Sequence, residues 1–247
     1  MFLIRTSRKM NHEPQFSISH VRGIGGNFAG EPQGLAFDTD NQMLYAFSNN
    51  SSAREVKKIN LSGTTLATNS NQGGSTLSIQ DGTVKGGKVY VPRTNPSEEG
   101  VLQVFDLNLS YESQIAFPNG VEYATAIVFA HGYWWVSCNS NGILYQINEA
   151  FTTIVAEHDI ATGNTYGVSP HYSGLAWWGD YLFGTEHQSG GHLDIWKLVA
   201  GELVLYQEIS TVGLDLYNGL AIDEGNNKLY ASSRGLSDDI QEYNIIT

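Results

Sequence analysis

Apolar and polar residues alternate along most of the chain in short runs, which is the pattern of strands that bury one face of a sheet. Residues 102–105 (LQVF) and 144–147 (LYQI) are two examples. No long stretch keeps the roughly 3.6-residue apolar period of an amphipathic helix. The pattern therefore predicts an all-β protein built from many short strands.

These runs form a repeated unit in which a Gly-Leu-Ala-like strand is followed by a polar turn and a second strand. Residues 33–38 (QGLAFD) and 43–47 (MLYAF) give one copy, and residues 218–223 (NGLAID) and 228–232 (KLYAS) give another. The other copies pair residues 125–129 with 133–136, 173–178 with 181–183 and, most weakly, 75–79 with 88–91. Third strands are predicted at residues 56–59, 102–105, 144–147, 193–196 and 240–243, and outer strands at 65–68, 113–116, 153–156 and 203–206.

The spacing of the units identifies the architecture. Gly34 and Gly219 lie 185 residues apart across four intervals, so each unit has about 46 residues. Propeller blades of four strands have about 40 to 50 residues. A ring lets every blade bury both of its faces, which an isolated blade does not do. We therefore predict a five-bladed β-propeller of four-stranded blades.

The last unit ends at Thr247 after its third strand, and the missing fourth strand is available at the N-terminus. Residues 15–21 (QFSISHV) alternate correctly for this role. Pairing them with the last blade removes an exposed sheet edge and closes the ring. A sandwich or an open solenoid does not account for this strand. We expect residues 1–14 to be a flexible tail and residues 15–247 to form a single propeller domain.

Composition and charge narrow the classes of partner. The chain carries 25 acidic and 13 basic residues, for a net charge of −12, and such a surface repels nucleic acid. No run approaches the roughly 18 apolar residues of a membrane span, so we expect a soluble protein without membrane insertion. An extracellular location or one on a virion or another surface stays open. The lone Cys138 follows an aromatic strand pattern, which predicts a buried and inert thiol.

The loops that lead into the inner strands and leave the second strands of a propeller meet at one face, around the central channel. Polar residues of several kinds fall in these loops here, and this ring suits a small polar molecule or a glycan. Loops also carry polar residues for conformational reasons and because they face water. The predicted ligand-binding residues are Glu31, Gln33, Asn49, Arg93, Glu122, His171, Glu186, His187, Tyr217, Asn218 and Arg234.

Glu186 and His187, with His192 and His171 in the same unit, are the strongest candidates for metal binding or acid–base chemistry. They lack the spacing of an H-E-x-x-H motif. Residues 38–41 and 223–226 resemble calcium loops, but they lack the alternating ligands and closing Glu, which favours ordinary turns. We therefore assign no catalytic residue and no cofactor, and a divalent metal remains the alternative.

Blade motifs resemble those of known propeller families. Residues 31–38 (EPQGLAFD), with Leu44, Tyr45 and residues 48–50 (SNN), resemble the bacterial SdiA-regulated family and the NHL-type propellers. The SdiA-regulated resemblance implies this size and number of blades, with no settled activity to carry over.

Two enzyme families are more weakly similar. Residues 217–221 (YNGLA) are similar to a motif of gluconolactonase-type propellers, whose six-bladed members hold a metal with a Glu, two Asn and an Asp. Glu31 lies near the place of that Glu, and the second Asn and the Asp have no match. Residues 33–35 and 218–221 also resemble the first and last blades of the five-bladed plant-type glutaminyl cyclases. Residues 119–123 (NGVEY) resemble an Asn-Glu-Leu-Glu segment of that family, one blade early and without its first Glu. Ala46 stands where that family has another Glu.

Three functional hypotheses follow. The first is a recognition propeller that binds a small polar molecule, a glycan or a protein at the channel mouth. The second is a metal-assisted hydrolase, lyase or cyclase that uses the same residues, so whether the protein is an enzyme stays open. The third is a structural module of a larger assembly, with which the abundant Gly and Tyr are compatible.

Overall fold

A computed structural model describes residues 13–26, 28, 32–50, 53–70, 78–95, 98–139, 142–160, 171–186, 192–211, 218–232 and 240–247. These residues form five sheets arranged as a β-propeller, which confirms the predicted fold class. Within them, no helix is long and apolar enough to span a membrane.

Each blade is an antiparallel sheet whose strands run in chain order from the centre outwards. Blade 1 is β2–β5, blade 2 is β6–β10, blade 3 is β11–β14, blade 4 is β15–β18, and blade 5 is β19–β21 with β1 outermost. The strands are β1 (Ser17–Ile24), β2 (Pro32–Asp38), β3 (Met43–Asn50), β4 (Ala53–Asn60), β5 (Thr65–Asn69), β6 (Ser78–Ile79), β7 (Thr83–Lys85), β8 (Lys88–Asn95), β9 (Glu98–Asp106), β10 (Tyr111–Ala116), β11 (Ala124–Ala130), β12 (Tyr133–Cys138), β13 (Ile143–Asn148), β14 (Ile154–Asp159), β15 (Tyr172–Trp178), β16 (Tyr181–Glu186), β17 (His192–Val199), β18 (Glu202–Ser210), β19 (Leu220–Asp223), β20 (Lys228–Ser232) and β21 (Ile240–Ile246).

The ring is closed by the N-terminal strand, as the sequence predicts. β1 pairs antiparallel with β21, from Ser17 opposite Ile246 to Ile24 opposite Ile240, and so supplies the fourth strand of blade 5. Of the predicted tail of residues 1–14, residues 1–12 lie outside the described part of the chain. Glu13 forms an ion pair with Lys197 at 2.5 Å.

The hydrophobic core lies between the blades, because alternate residues of each second strand face opposite neighbours. In β3, Leu44 packs with Tyr230 of blade 5, whereas Tyr45 packs with Val89 of blade 2. The other second strands follow the same rule, so five clusters fill the five junctions. Short alternating strands therefore build a continuous ring-shaped core.

The innermost strands approach one another so closely that glycine is required at several positions. A Cβ built on Gly219 of blade 5 would lie 2.3 Å from the Gly34 Cα of blade 1. A Cβ on Gly174 of blade 4 would lie 2.4 Å from the Leu220 backbone nitrogen. Side chains cannot fit at such distances, which explains the Gly-Leu-Ala start of these strands.

Blade 2 departs from the predicted pattern. The sequence placed its inner strand at residues 75–79, whereas the structure pairs both β6 and β7 with β8 and so extends the inner edge to Lys85. Residues 75–77 lie outside the described part of the chain. Between the two short strands lie Asp81 and Gly82, and the Asp81 side chain is fully buried.

The polar turns at the ends of β2 and β19 are held by their own side chains. Asp38 Oδ1 accepts hydrogen bonds from the backbone nitrogens of Asp40 at 3.2 Å and Asn41 at 3.3 Å. Asp223 Oδ2 accepts one from Asn226 Nδ2 at 2.6 Å. The two bonds of Asp38 are those of an Asx-type turn, and the bond of Asp223 links two side chains across the second turn. The preference for ordinary turns over calcium loops stays a prediction.

Replacement of Phe16 by alanine should weaken ring closure. Phe16 is buried at the junction of blades 4 and 5, with its ring 4.9 to 5.4 Å from those of Tyr181, Phe183 and Trp178. We expect a loss of about 3–5 kcal/mol in the free energy of unfolding, measured by urea denaturation. Val21→Ala, at a position that is 41% exposed, is the control and should change it by less than about 0.5 kcal/mol. Equal effects of both variants would contradict the packing described.

Replacement of Gly219 by alanine should force the inner strands apart. The added Cβ would overlap the backbone of Gly34, so we expect a loss of at least about 3 kcal/mol, measured as a fall in the thermal midpoint. Gly25→Ala is the matched control, because a Cβ there meets nothing within 4 Å. A Gly219→Ala protein as stable as the wild type would disprove the close approach.

Candidate functional site

The antiparallel order of the strands places the start of each inner strand and the end of each second strand at the same end of the ring. This end of the ring is the mouth of the central channel. Of the predicted site residues, the structure brings Gln33, Arg93, Glu122, His171 and Asn218 to the mouth, from five different blades. Four of the predicted residues, Glu31, His187, Tyr217 and Arg234, lie outside the described residues. Asn49 is the last residue but one of β3 and Glu186 is the last residue of β16, and their side chains are not described.

Arg93 is a deeply buried charged residue at the mouth, with 1% of its surface exposed. It lies near the end of β8, opposite Ile79 of β6 and Val101 of β9. Burial lowers the pKa of its guanidinium to about 10, and the nearby Arg54 guanidinium contributes by repulsion. Arg93 therefore stays cationic near neutral pH, and the mouth contains a concentrated positive charge in an acidic protein.

His171 is buried just before β15, where hydrogen bonds from blade 3 fix the chain. The Tyr172 backbone N–H donates to Ser137 Oγ at 2.9 Å, and Thr125 Oγ1 donates to the Tyr172 carbonyl at 2.7 Å. The Tyr172 hydroxyl donates to Asp194 Oδ2 at 2.7 Å and accepts a bond from Trp196 Nε1 at 2.8 Å. These bonds give His171 a well-defined position beside the mouth.

Asn218, 1% exposed, is held in the same way before β19. Its carbonyl accepts a hydrogen bond from Thr185 Oγ1 of blade 4. In blade 2, Thr94 Oγ1 donates to the Ala124 carbonyl of blade 3 at 3.0 Å. Buried hydroxyl groups near the ends of second strands thus tie one blade to the next. These hydroxyl groups are not among the predicted site residues, although a Ser or Thr near the end of the second run is the signal that marks them.

The blade 3 side of the mouth combines an exposed carboxylate with a buried thiol. Glu122 is exposed, and the next residue, Tyr123, has a positive φ of 49° and accepts a hydrogen bond from the Asn139 backbone at 3.1 Å. Burial raises the pKa of Cys138 to about 12, although a hydrogen bond from the Glu122 backbone opposes the shift. The predicted buried thiol is therefore confirmed, and its pKa disfavours a nucleophilic role.

At the floor of the mouth, the inner strands of blades 1, 4 and 5 meet through backbone at Gly34, Gly174 and Gly219. A ligand at this end of the ring would therefore contact side chains at the strand ends. Within the described ranges, no three His, Cys, Asp or Glu residues lie close enough together to hold a metal ion. The predicted Glu186–His187 cluster stays a prediction, since these side chains are not described.

Comparison with known proteins supports the fold. No protein-family model matches the chain, and no curated protein matches it in sequence. Its structure is similar to that of Myxococcus xanthus glutaminyl cyclase, with a TM-score of 0.71 and 11% identity over 92% of this chain and 96% of that one.

Two further solved structures are similar over most of their length. For a luciferin-regenerating enzyme the TM-score is 0.59, with 12% identity over 93% of this chain and 95% of the other. For the WD40 repeats of RRP9 it is 0.55, with 12% identity over 93% and 97%. At such low identities the similarity establishes a shared β-propeller fold. The sequence resemblance to SdiA-regulated and NHL-type propellers stays a prediction.

Cys138 should resist modification in the folded protein. With a pKa of about 12, about one thiol in ten thousand is ionised at pH 8, and burial also blocks access. We expect Ellman's reagent to release almost no chromophore from native protein and one equivalent per chain in guanidinium, since the chain has one cysteine. Rapid stoichiometric labelling of the native protein would contradict this description.

Proposed function

We propose that this protein is a recognition propeller that binds a small polar molecule or a glycan at the mouth. The observation that carries the proposal is the convergence of Arg93, His171 and Asn218, which lie on three blades and are each buried at one end of the ring. Buried polar groups held by a rigid scaffold are prepared to bind before a ligand arrives, which reduces the cost of ordering them.

The chemistry at the mouth favours a ligand with several hydrogen-bonding groups and at least one negative or strongly accepting group. A guanidinium offers planar, charged donors, an amide offers both a donor and an acceptor, and an imidazole offers either according to its tautomer. Glu122 of blade 3 adds an exposed acceptor between Arg93 of blade 2 and His171 of blade 4 in the ring order. Uronic acids, sialic acids and small hydroxy acids combine these features.

Ligand binding should depend on Arg93 and Glu122. Glycan arrays and a thermal-shift screen of sugar acids and hydroxy acids would identify a ligand, and calorimetry would then measure its Kd. We expect Arg93→Gln to raise the Kd by about 10- to 100-fold, since a charged hydrogen bond contributes about 1.5–3 kcal/mol. Glu122→Gln, at an exposed position that should not affect folding, should change the Kd as well.

Lys88→Gln is the matched control, because Lys88 begins β8 at the opposite end of the strand from Arg93 and pairs with Glu112 at 2.6 Å. It should leave the Kd unchanged. The proposal fails if no compound binds at millimolar concentration, or if a ligand binds equally well to the Arg93→Gln and Glu122→Gln proteins. Capture of a protein partner in place of a small ligand would favour the protein-binding form of the hypothesis.

Catalysis at the same mouth is the second candidate, and the similarity to a glutaminyl cyclase over nearly the whole chain favours it. In that case Glu122 is the described carboxylate placed to transfer protons, and a divalent metal would have to be held with residues outside the described ones. Release of ammonia from a peptide with N-terminal glutamine, assayed with and without added divalent metal, tests this candidate. Ammonia release that is lost in the Glu122→Gln protein would show that the mouth is catalytic. No ammonia release, with or without added metal, would exclude cyclase activity.

A further inference from the structure

Asp81 occupies a position in the inner ring where three other blades have glycine. Thr83 pairs with Tyr90 as Ala36 of blade 1 pairs with Tyr45, so Asp81 is the counterpart of Gly34. The same alignment relates it to Gly174 of blade 4 and Gly219 of blade 5, which begin the corresponding Gly-Leu-Ala segments. A carboxyl group therefore stands at a place in the ring where most blades have no side chain.

The Asp81 carboxyl group is fully buried and is surrounded by backbone N–H groups. Oδ1 accepts a hydrogen bond from the Leu35 nitrogen of blade 1 at 3.2 Å, and Oδ2 accepts one from the Ile127 nitrogen of blade 3 at 3.1 Å. The Gly82 nitrogen is a third donor. One side chain of blade 2 thus bonds to the inner strands of both neighbouring blades.

These donors exist because the inner strands are sheet edges. Leu35 and Ile127 occupy equivalent positions of β2 and β11, and their N–H groups point away from the second strands towards the axis. A buried N–H group without an acceptor costs about 1–3 kcal/mol. Several N–H groups that converge on one point form a concave site for an anion or a carboxyl group.

The forces on this carboxyl group come from the backbone and from burial. Burial raises the pKa of Asp81 well above its usual range, and the three backbone N–H groups act in the opposite direction. The cradle is therefore built from main-chain dipoles, and its geometry depends on the positions of the three blades rather than on flexible basic side chains.

We propose that the centre of the inner ring is a carboxyl-binding cradle, which Asp81 fills from within the chain and which a small free carboxylate fills when the Asp81 side chain is removed. The ligand class is a monocarboxylate of the size of acetate, which matches the atoms that Asp81→Gly deletes. Because the cradle joins blades 1, 2 and 3, its occupancy holds that half of the ring together.

Chemical rescue of Asp81→Gly tests the proposal. We expect the thermal midpoint to fall by roughly 10 °C, because buried donors lose their acceptor, and to rise again with the logarithm of acetate or formate concentration. Formamide, a neutral analogue, and pivalate, which is too bulky, should have no such effect at equal ionic strength. Wild-type protein, in which the Asp81 carboxyl group is already bound, and Asp81→Asn, whose side chain occupies the same volume and leaves no room for acetate, should show no rescue by acetate.

Two further measurements keep the proposal testable if Asp81→Gly does not fold by itself. The yield of folded protein on dilution from urea should then be higher in sodium acetate than in sodium chloride of equal concentration. In wild-type protein, NMR should detect scalar coupling across the hydrogen bonds from the Leu35 and Ile127 nitrogens to the Asp81 carboxyl carbon. Missing coupling, equal stabilisation of the wild type by acetate, or no rescue of a folded Asp81→Gly protein would overturn the proposal.

Discussion

The close approach of the inner strands is the constraint on which the rest of this propeller depends. Gly34, Gly174 and Gly219 allow the backbones of blades 1, 4 and 5 to meet without side chains between them, and Asp81 completes blade 2 by accepting hydrogen bonds from both neighbours. This spacing fixes how far apart the second strands lie, and so which side chains can fill the junctions. Large residues such as Trp134 and Trp135 occupy one second strand, because the distance between blades increases outwards.

The blade pattern and the closure of the ring could be predicted because both follow from local alternation and from the count of strands. The alternation within each repeated unit predicts the strands of that unit. The alternation of residues 15–21 predicts the fourth strand that the last unit lacks. Blade 2 was predicted less well, because Asp81 and Gly82 interrupt its inner strand. A buried Asp gives the same sequence signal as a solvated turn, and the backbone groups that bind it belong to other blades.

The prediction of the mouth from the sequence was limited in the same way. Its residues could be selected from their place in the repeat. The burial of Arg93, His171 and Asn218 could not be predicted, because it depends on how the blades pack in three dimensions. The hydroxyl groups of Ser137 and Thr185 were missed for a related reason, since each acts on the following blade. The position of a polar group at the mouth therefore depends on its own blade and on the preceding blade. A substitution in either blade would shift that group.

The pairing of β1 with β21 also determines how the molecule can be attached to something else. Ser17 lies opposite Ile246, so the start of β1 and the end of β21 lie side by side in the two outer strands of blade 5. β21 runs away from the mouth, so this point lies at the opposite end of the ring from the mouth. A tether, tag or neighbouring domain joined after residue 247 would therefore attach to the propeller at the end opposite the mouth, and a protein immobilised in this way would keep the mouth accessible.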